Sequence, residues 1–157
     1  MTRDPLSMPL HGLTYISRAR PETLANMGFA VSNILKDAQV RNVAFHVTGA
    51  LLACDGWFLQ SLEGPQARVV ETFGRIRNDH RHHSIRVIEA CPIQERKFSE
   101  WSMCGRSLSS ADDAILSVLE NPGALNLAKL TPSRASALLQ LVQNLQKSSE
   151  ASEILYL

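Results

Sequence analysis

Val47-Thr48-Gly49-Ala50-Leu51-Leu52-Ala53, then Asp55-Gly56, then Trp57-Phe58-Leu59-Gln60-Ser61-Leu62: the fold of this chain is decided by how that stretch is read. The first seven residues are largely apolar on both alternating faces, so a strand here is covered on both sides. Asp-Gly is the strongest short-range hairpin signal, because a tight two-residue turn needs positive φ at its central positions. Trp57 to Leu62 therefore predicts a second strand paired back on the first, and Gly64-Pro65 is expected to end it.

Upstream, Leu13-Thr14-Tyr15-Ile16-Ser17 is β-branched and aromatic and predicts the first strand. Pro21 suits a first helical position, with Glu22 beside it where the helix dipole favours an acid. Leu24, Met27, Val31, Ile34 and Ala38 then recur at helical spacing, on a helix expected to end near Asn42. Downstream, a second helix presents Val69, Phe73 and Ile76 on one face, with Arg68, Arg75 and Arg77 around it. Ser84 to Ala90 predicts a strand, and Phe98 to Met103 the last one. The order β-α-β-β-α-β-β is the ferredoxin-like pattern plus one strand, an α+β class with both helices on one face of a mixed sheet.

Residues 1–10 carry two prolines and no periodicity, and read as a disordered lead. Residues 106–157 read as a helical extension. Ser109 and Ser110 are N-cap candidates ahead of Asp112 and Asp113, and Thr131-Pro132 opens a helix with Ala135, Leu138, Leu139, Val142 and Leu145 on one stripe. That stripe needs cover. The free face of the sheet, at the strands Val47–Ala53 and Ser84–Ala90, is the expected place, and a partner protein is the other.

The chain has 157 residues, enough for one domain with a real core, and a net charge of +1, which carries no footprint for nucleic acid or an acidic membrane surface. Cys54, Cys91 and Cys104 are odd in number and lack CxxC spacing, which predicts reduced thiols in the cytoplasm. The stretch Met1 to Gly12 lacks the apolar core of a signal peptide, so none is expected, and no run of 18 apolar residues occurs.

Three features carry chemistry. Gln60 alternates onto the same face as Phe58 and Leu62 in an apolar strand, where an unpartnered amide costs about 1–3 kcal/mol. Tyr15 sits mid-strand with a hydroxyl in the same predicament, and in this topology the first and third strands are neighbours. A core glutamine satisfied by backbone is one reading; two polar tips converging beneath the helices, as in a cofactor site, is the other. The second feature is Arg75 followed by Asn78-Asp79-His80-Arg81-His82-His83. Its spacing is poor for zinc, which leaves a solvated helix end or, with Asn42, a donor set for a polar or anionic ligand. The third is Trp101-Ser102-Met103, whose Trp and Met share a strand face. Hydrolase elbows, P-loops and GxGxxG are absent.

Taken together, Leu13–Ser17, Arg41-Asn42 with Val47-Thr48-Gly49, Phe58-Leu59-Gln60-Ser61-Leu62-Glu63-Gly64, Arg75-Ile76 with Asp79-His80-Arg81-His82, and Arg96 to Met103 resemble the BLUF family of flavin-based blue-light sensors. The resemblance implies a ferredoxin-like domain over residues 11–105 that holds FAD noncovalently between two helices. It implies that Tyr15 and Gln60 are the photoactive pair, that Asn42 and Arg75 hold the polar edges of the ring, and that Asp79, Arg81, His82 and Arg41 belong to the same site. It further implies that Trp101 and Met103 exchange places on the signalling strand. Excited flavin takes an electron and a proton from Tyr15 by way of Gln60, whose amide is left in an altered orientation or tautomer. No substrate turns over, so the chain is expected to be no enzyme and to act on a downstream protein, as a monomer or a homo-oligomer. Arg41 stands where many members have asparagine, Ile16 where a serine is common, and His46 where glycine is common, at a position suspected of needing positive φ. The competing readings are a ferredoxin-like ligand-binding module without photochemistry and an acyl-phosphate hydrolase. The hydrolase wants a glycine in the loop from Ser17 to Pro21, which has none.

Overall fold

The computed structural model describes residues 9–99, 102–109, 112, 115 and 126–155. Asp55 and Gly56 take φ of 51° and 82°, the double positive turn whose twist matches the flanking strands. They fold β2 (Thr48–Cys54) onto β3 (Trp57–Pro65) in register from Cys54↔Trp57 to Thr48↔Glu63. The strand β1 (Leu10–Ala19) pairs with the other side of β3, and β4 (His82–Ile93) with the outer side of β1. The last strand, β5 (Cys104–Leu108), runs parallel to β2, giving the sheet order β4-β1-β3-β2-β5. This is the ferredoxin-like arrangement with one added strand.

Several boundaries differ from expectation, each for a local reason. The strand β3 continues through Gly64-Pro65, because its pairing with β2 has already ended at Glu63 and Pro65 meets only Leu10. Gly64 is required there, since a Cβ would stand 2.8 Å from the His46 carbonyl. The first helix breaks in two, α1 (Pro21–Leu24) and α2 (Met27–Phe45), because Asn26 leaves the helical region (φ −151°, ψ 77°) and its side chain accepts from the Phe29 N–H at 3.2 Å. Leu24 is left exposed as a result. The helix α2 runs past Asn42 to Phe45, where His46 takes φ 57°. The Val47 N–H returns to the Asn42 carbonyl and the His46 N–H to that of Val43, closing a Schellman cap. Histidine thus accepts the left-handed position, and the Arg96 guanidinium holds its carbonyl at 2.7 Å.

The expected strand at Phe98 to Met103 is displaced to Cys104–Leu108. The amide N–H groups of Lys97 and Phe98 do not enter a ladder; both are taken by the buried Glu63 carboxylate, at 2.8–3.0 Å. The strand β4 is longer than expected and starts at His82.

The sheet separates two cores. On one face Leu13, Tyr15, Leu51, Phe58 and Leu62 pack beneath α2 and α3 (Gln66–Arg77). On the other, Ile16, Leu52, Leu59 and Phe98 meet Ala135, Leu138, Leu139 and Val142 of α4 (Pro132–Leu155). The expected cap therefore sits on the opposite face, chiefly over β2, β3 and β5. The Ser84–Ala90 strand lies at the far edge of the sheet and reaches this core through Ile88. Arg106 on β5 donates to the Gln146 Oε1 at 2.9 Å and the Ser149 Oγ at 3.1 Å, fixing α4 along that edge. The lead expected over residues 1–10 is shorter, because Leu10 already pairs with Pro65 in β1. Residues 1–8, the N-cap candidate Ser110 with Asp113, and the tail beyond Leu155 lie outside the described residues. No helix among the described residues is long and apolar enough to cross a membrane.

Leu138 is fully buried between α4 and the sheet. Leu138→Ala is expected to lower the unfolding free energy by about 2–5 kcal/mol, measured as a reduced urea midpoint at unchanged slope.

Candidate functional site

Tyr15 and Gln60 are directly opposed in the β1–β3 register, and both side chains point toward α2 and α3. The Tyr15 hydroxyl donates to Gln60 Oε1, and Gln60 Nε2 donates to the Met103 thioether sulfur at 3.4 Å. Tyr15 and Gln60 are each 3% exposed, so this three-residue chain is shielded from water. Burial first, and then the nearby Asp79 carboxylate, push the phenol's pKa far above its ordinary value, with Arg81 opposing. Tyr15 is therefore held as a neutral donor, and losing its proton alone is strongly unfavourable.

The two tips open into a cleft between α2 and α3. Its walls are apolar, from Ile34, Ala38, Leu51, Leu62 and Ile76, and its polar groups include Arg41, Asn42, Arg75, Asp79, Arg81 and His82. Asn42 is buried and donates one amide hydrogen to the Ser102 carbonyl at 2.8 Å. Arg75 stacks on the Phe45 ring at 4.9 Å, and its buried Nη2 has no hydrogen-bond partner. Arg41 lines the cleft from an exposed position. Asp79 is clamped by Arg81, whose Nη2 lies 2.6 Å and Nε 2.9 Å from its oxygens, while Asp37 stands 3.7 Å from the same guanidinium. Burial opposes the charge on Asp79, but the hydrogen bonds from Arg81 prevail and its carboxyl lies below the usual range.

His82 is committed at both nitrogens. The Ile76 carbonyl, 2.6 Å from Nε2, can only accept, so Nε2 carries the proton and Nδ1 accepts from the Ser17 hydroxyl at 2.7 Å. What His82 offers the cleft is its ring, 6.1 Å from that of Tyr15 and 6.3 Å from that of Phe58. Of the residues read from sequence, Tyr15, Gln60, Asn42, Arg41, Arg75, Asp79, Arg81 and His82 all line one cleft, and Met103 lies against Gln60. Trp101 lies outside the described residues. His80 and His83 join no group of three potential metal ligands among the described residues.

Sequence reasoning gave no role to Ser17, Glu63 and Arg96, which it quoted only as parts of motifs, and missed Gln39. Ser17 is two residues from Tyr15 and shares its strand face; Gln39 is one helical turn before Asn42. Those spacings were available signals. A planar heterocycle with carbonyl and imide edges fits what the cleft presents: flat apolar walls, an amide at Asn42, the Gln60 amide, and an unpartnered guanidinium nitrogen at Arg75.

A model of the BLUF family, described as sensors of blue-light using FAD, matches residues 10–104. The chain belongs to the BLUF family. It is 42% identical over 93 residues to the photoactivated adenylate cyclase subunit beta of Euglena gracilis, a match that takes in 58% of this chain and 10% of that protein. The matched part thus spans about a tenth of the length of such curated relatives. Among solved structures it is similar to BlrB, a BLUF protein in its dark state, with TM-score 0.68 and 31% identity, covering 86% of this chain and 96% of that one. The BlsA ground state superposes with TM-score 0.72 at 26% identity, covering 85% and 87%.

Burial holds the His82 pKa below its ordinary value, against the pull of the Ile76 carbonyl and Asp79. A lowered folded value means the unfolded chain takes up the proton first. The stabilisation is therefore complete above the ordinary histidine range and is lost as pH falls from there through the folded value. Urea midpoints from about pH 7.5 down to about 5.5 should fall more steeply for the wild type than for His82→Gln. Parallel curves would show that His82 is not buried as a neutral ring.

Proposed function

We propose that this chain is a photoreceptor that holds FAD noncovalently in the cleft between α2 and α3, and signals by a change in the contacts of Gln60. The single observation that carries the reading is the buried Tyr15–Gln60–Met103 chain opening into that cleft. Bound flavin supplies absorption of blue light and the capacity to accept an electron. The protein's own residues supply the geometry. Asn42 and Arg75 hold the polar edges of the ring. Asp79, Arg81 and His82 form the wall behind Tyr15, with Arg41 at the mouth.

Tyr15 holds its proton at a hydroxyl aimed at Gln60, so the proton does not leave ahead of the electron and follows it by way of Gln60. Gln60 is the switch because its amide has two unlike ends, an acceptor toward Tyr15 and a donor toward Met103. Turning the amide over, or moving to its tautomer, exchanges those roles and leaves Met103 facing a different group. Two such arrangements need differ by only a few kcal/mol for light to populate the second. Trp101 is the proposed counterpart of Met103 in the exchange on this segment. On this reading the chain turns over no substrate and its effect passes to a protein partner in the cytoplasm. The flavin-binding unit read as residues 11–105 takes in Leu10 of β1 and the whole of β5 through Leu108, and α4 of the extension packs on the opposite face of its sheet.

FAD is expected in the supernatant of heat-denatured protein from riboflavin-supplied cells, and a flavin-free supernatant contradicts the proposal. Tyr15→Phe and Gln60→Leu, nearly isosteric changes, should retain flavin but abolish the reversible red shift of its absorption under blue light. A Gln60→Leu protein with a normal photocycle places the switch elsewhere. Asn42→Ala and Arg75→Ala should each weaken FAD binding by about one to two decades, read by equilibrium dialysis, because each strips one edge of a buried donor.

A further inference from the structure

Three side-chain amides converge on two consecutive residues. Asn42 Nδ2 donates to the Ser102 carbonyl at 2.8 Å, Gln39 Nε2 to the Met103 carbonyl at 3.1 Å, and Gln60 Nε2 to the Met103 sulfur at 3.4 Å. Asn42 and Gln60 belong to the cleft. Gln39 does not line it and is itself exposed, so core packing gives no reason for its orientation. Met103 stands just outside the sheet ladder, since β5 pairs with β2 only from Ala50↔Cys104 onward. Its backbone is thus tied to α2 by a side chain one turn from Asn42.

That tie matters because a thioether is a weak acceptor, and the bond from Gln60 survives only while the sulfur stays within reach. On its other side the Met103 methyl lies beside Gly49, where a Cβ would stand 3.0 Å from Met103 Cε and 2.0 Å from the Ser61 carbonyl oxygen. Backbone anchor, methyl seat and amide contact together place one sulfur atom.

We infer that Gln39 is a positioning residue of the photoswitch, acting through Met103 by holding its carbonyl so that the thioether meets the Gln60 amide. The inference rests on the photoreceptor reading above. It also places a residue on α2, outside the flavin site, in the dark-state arrangement.

The test is a kinetic cycle on the full chain loaded with FAD, reading the dark-recovery rate after a blue flash in the wild type, Gln39→Leu, Met103→Leu and the double variant. All four should carry flavin, because neither position lines the cleft. Gln39→Leu should change the rate by about threefold or more, in the same direction as Met103→Leu. In the Met103→Leu background the same change should move it by less than about twofold, since the residue through which Gln39 acts is gone. Gln39→Glu should match Gln39→Leu at neutral pH, where a carboxylate cannot donate. On acidification it should return toward the wild-type rate at the same pH, as the protonated acid regains a donor. Recovery of Gln39→Leu at the wild-type rate, or effects that multiply independently in the double variant, overturns the inference while leaving the photoreceptor reading intact. A wild-type protein with no photocycle removes that reading and this one with it.

Discussion

The hydrogen bond from the Tyr15 hydroxyl to the Gln60 carbonyl lies at the centre of the sheet, and its burial constrains everything around it. A phenol and an amide without water must satisfy each other or a neighbour. The β1–β3 register sets them directly opposite, and a one-residue slip of either strand would send its member of the pair to the other face. With the phenol's acidity suppressed by burial, Tyr15 is a fixed donor, and the remaining freedom of the network belongs to the amide. The amide's second contact is to a sulfur, a weak acceptor.

The opposite face is built for rigidity. Glu63 is buried, and its carboxylate receives the backbone N–H groups of Lys97 and Phe98. Arg96 spans Thr48, the Glu63 carbonyl and the His46 carbonyl within 2.7–2.9 Å. Gln143 of α4 donates to the Lys97 carbonyl at 3.0 Å, linking the helix to the same turn. The turn at residues 96–98 is thus anchored to the sheet and to α4, while Ser102 and Met103 are tied to α2 by Asn42 and Gln39.

Much of this was legible in the sequence, for identifiable reasons. The Asp55-Gly56 turn permits one hairpin geometry, and the alternation through Phe58, Gln60 and Leu62 assigns the amide to the helix-covered face. The helix boundaries were less legible, because Asn26 can serve as helix interior or as cap and the choice depends on where α2 must dock. The position of β5 was misread since Phe98 looks like strand, whereas its N–H is claimed by Glu63, thirty-five residues earlier. Periodicity carries no information about a pairing at that separation. The cleft residues were recognisable as a set through family resemblance, while Gln39, outside the cleft, had only its helical spacing to Asn42 to mark it.

The central claim is that light changes the hydrogen bond of Tyr15. The chain has two tyrosines, Tyr15 and Tyr156, so isotopic labelling at tyrosine is nearly site-specific. A light-minus-dark infrared difference spectrum of the FAD-loaded protein, recorded with and without labelled tyrosine, tests the claim directly. The account predicts phenol bands that shift with the label, appear on illumination, and decay together with the flavin's red shift. A difference spectrum in which the flavin bands change and no band moves on tyrosine labelling would contradict it.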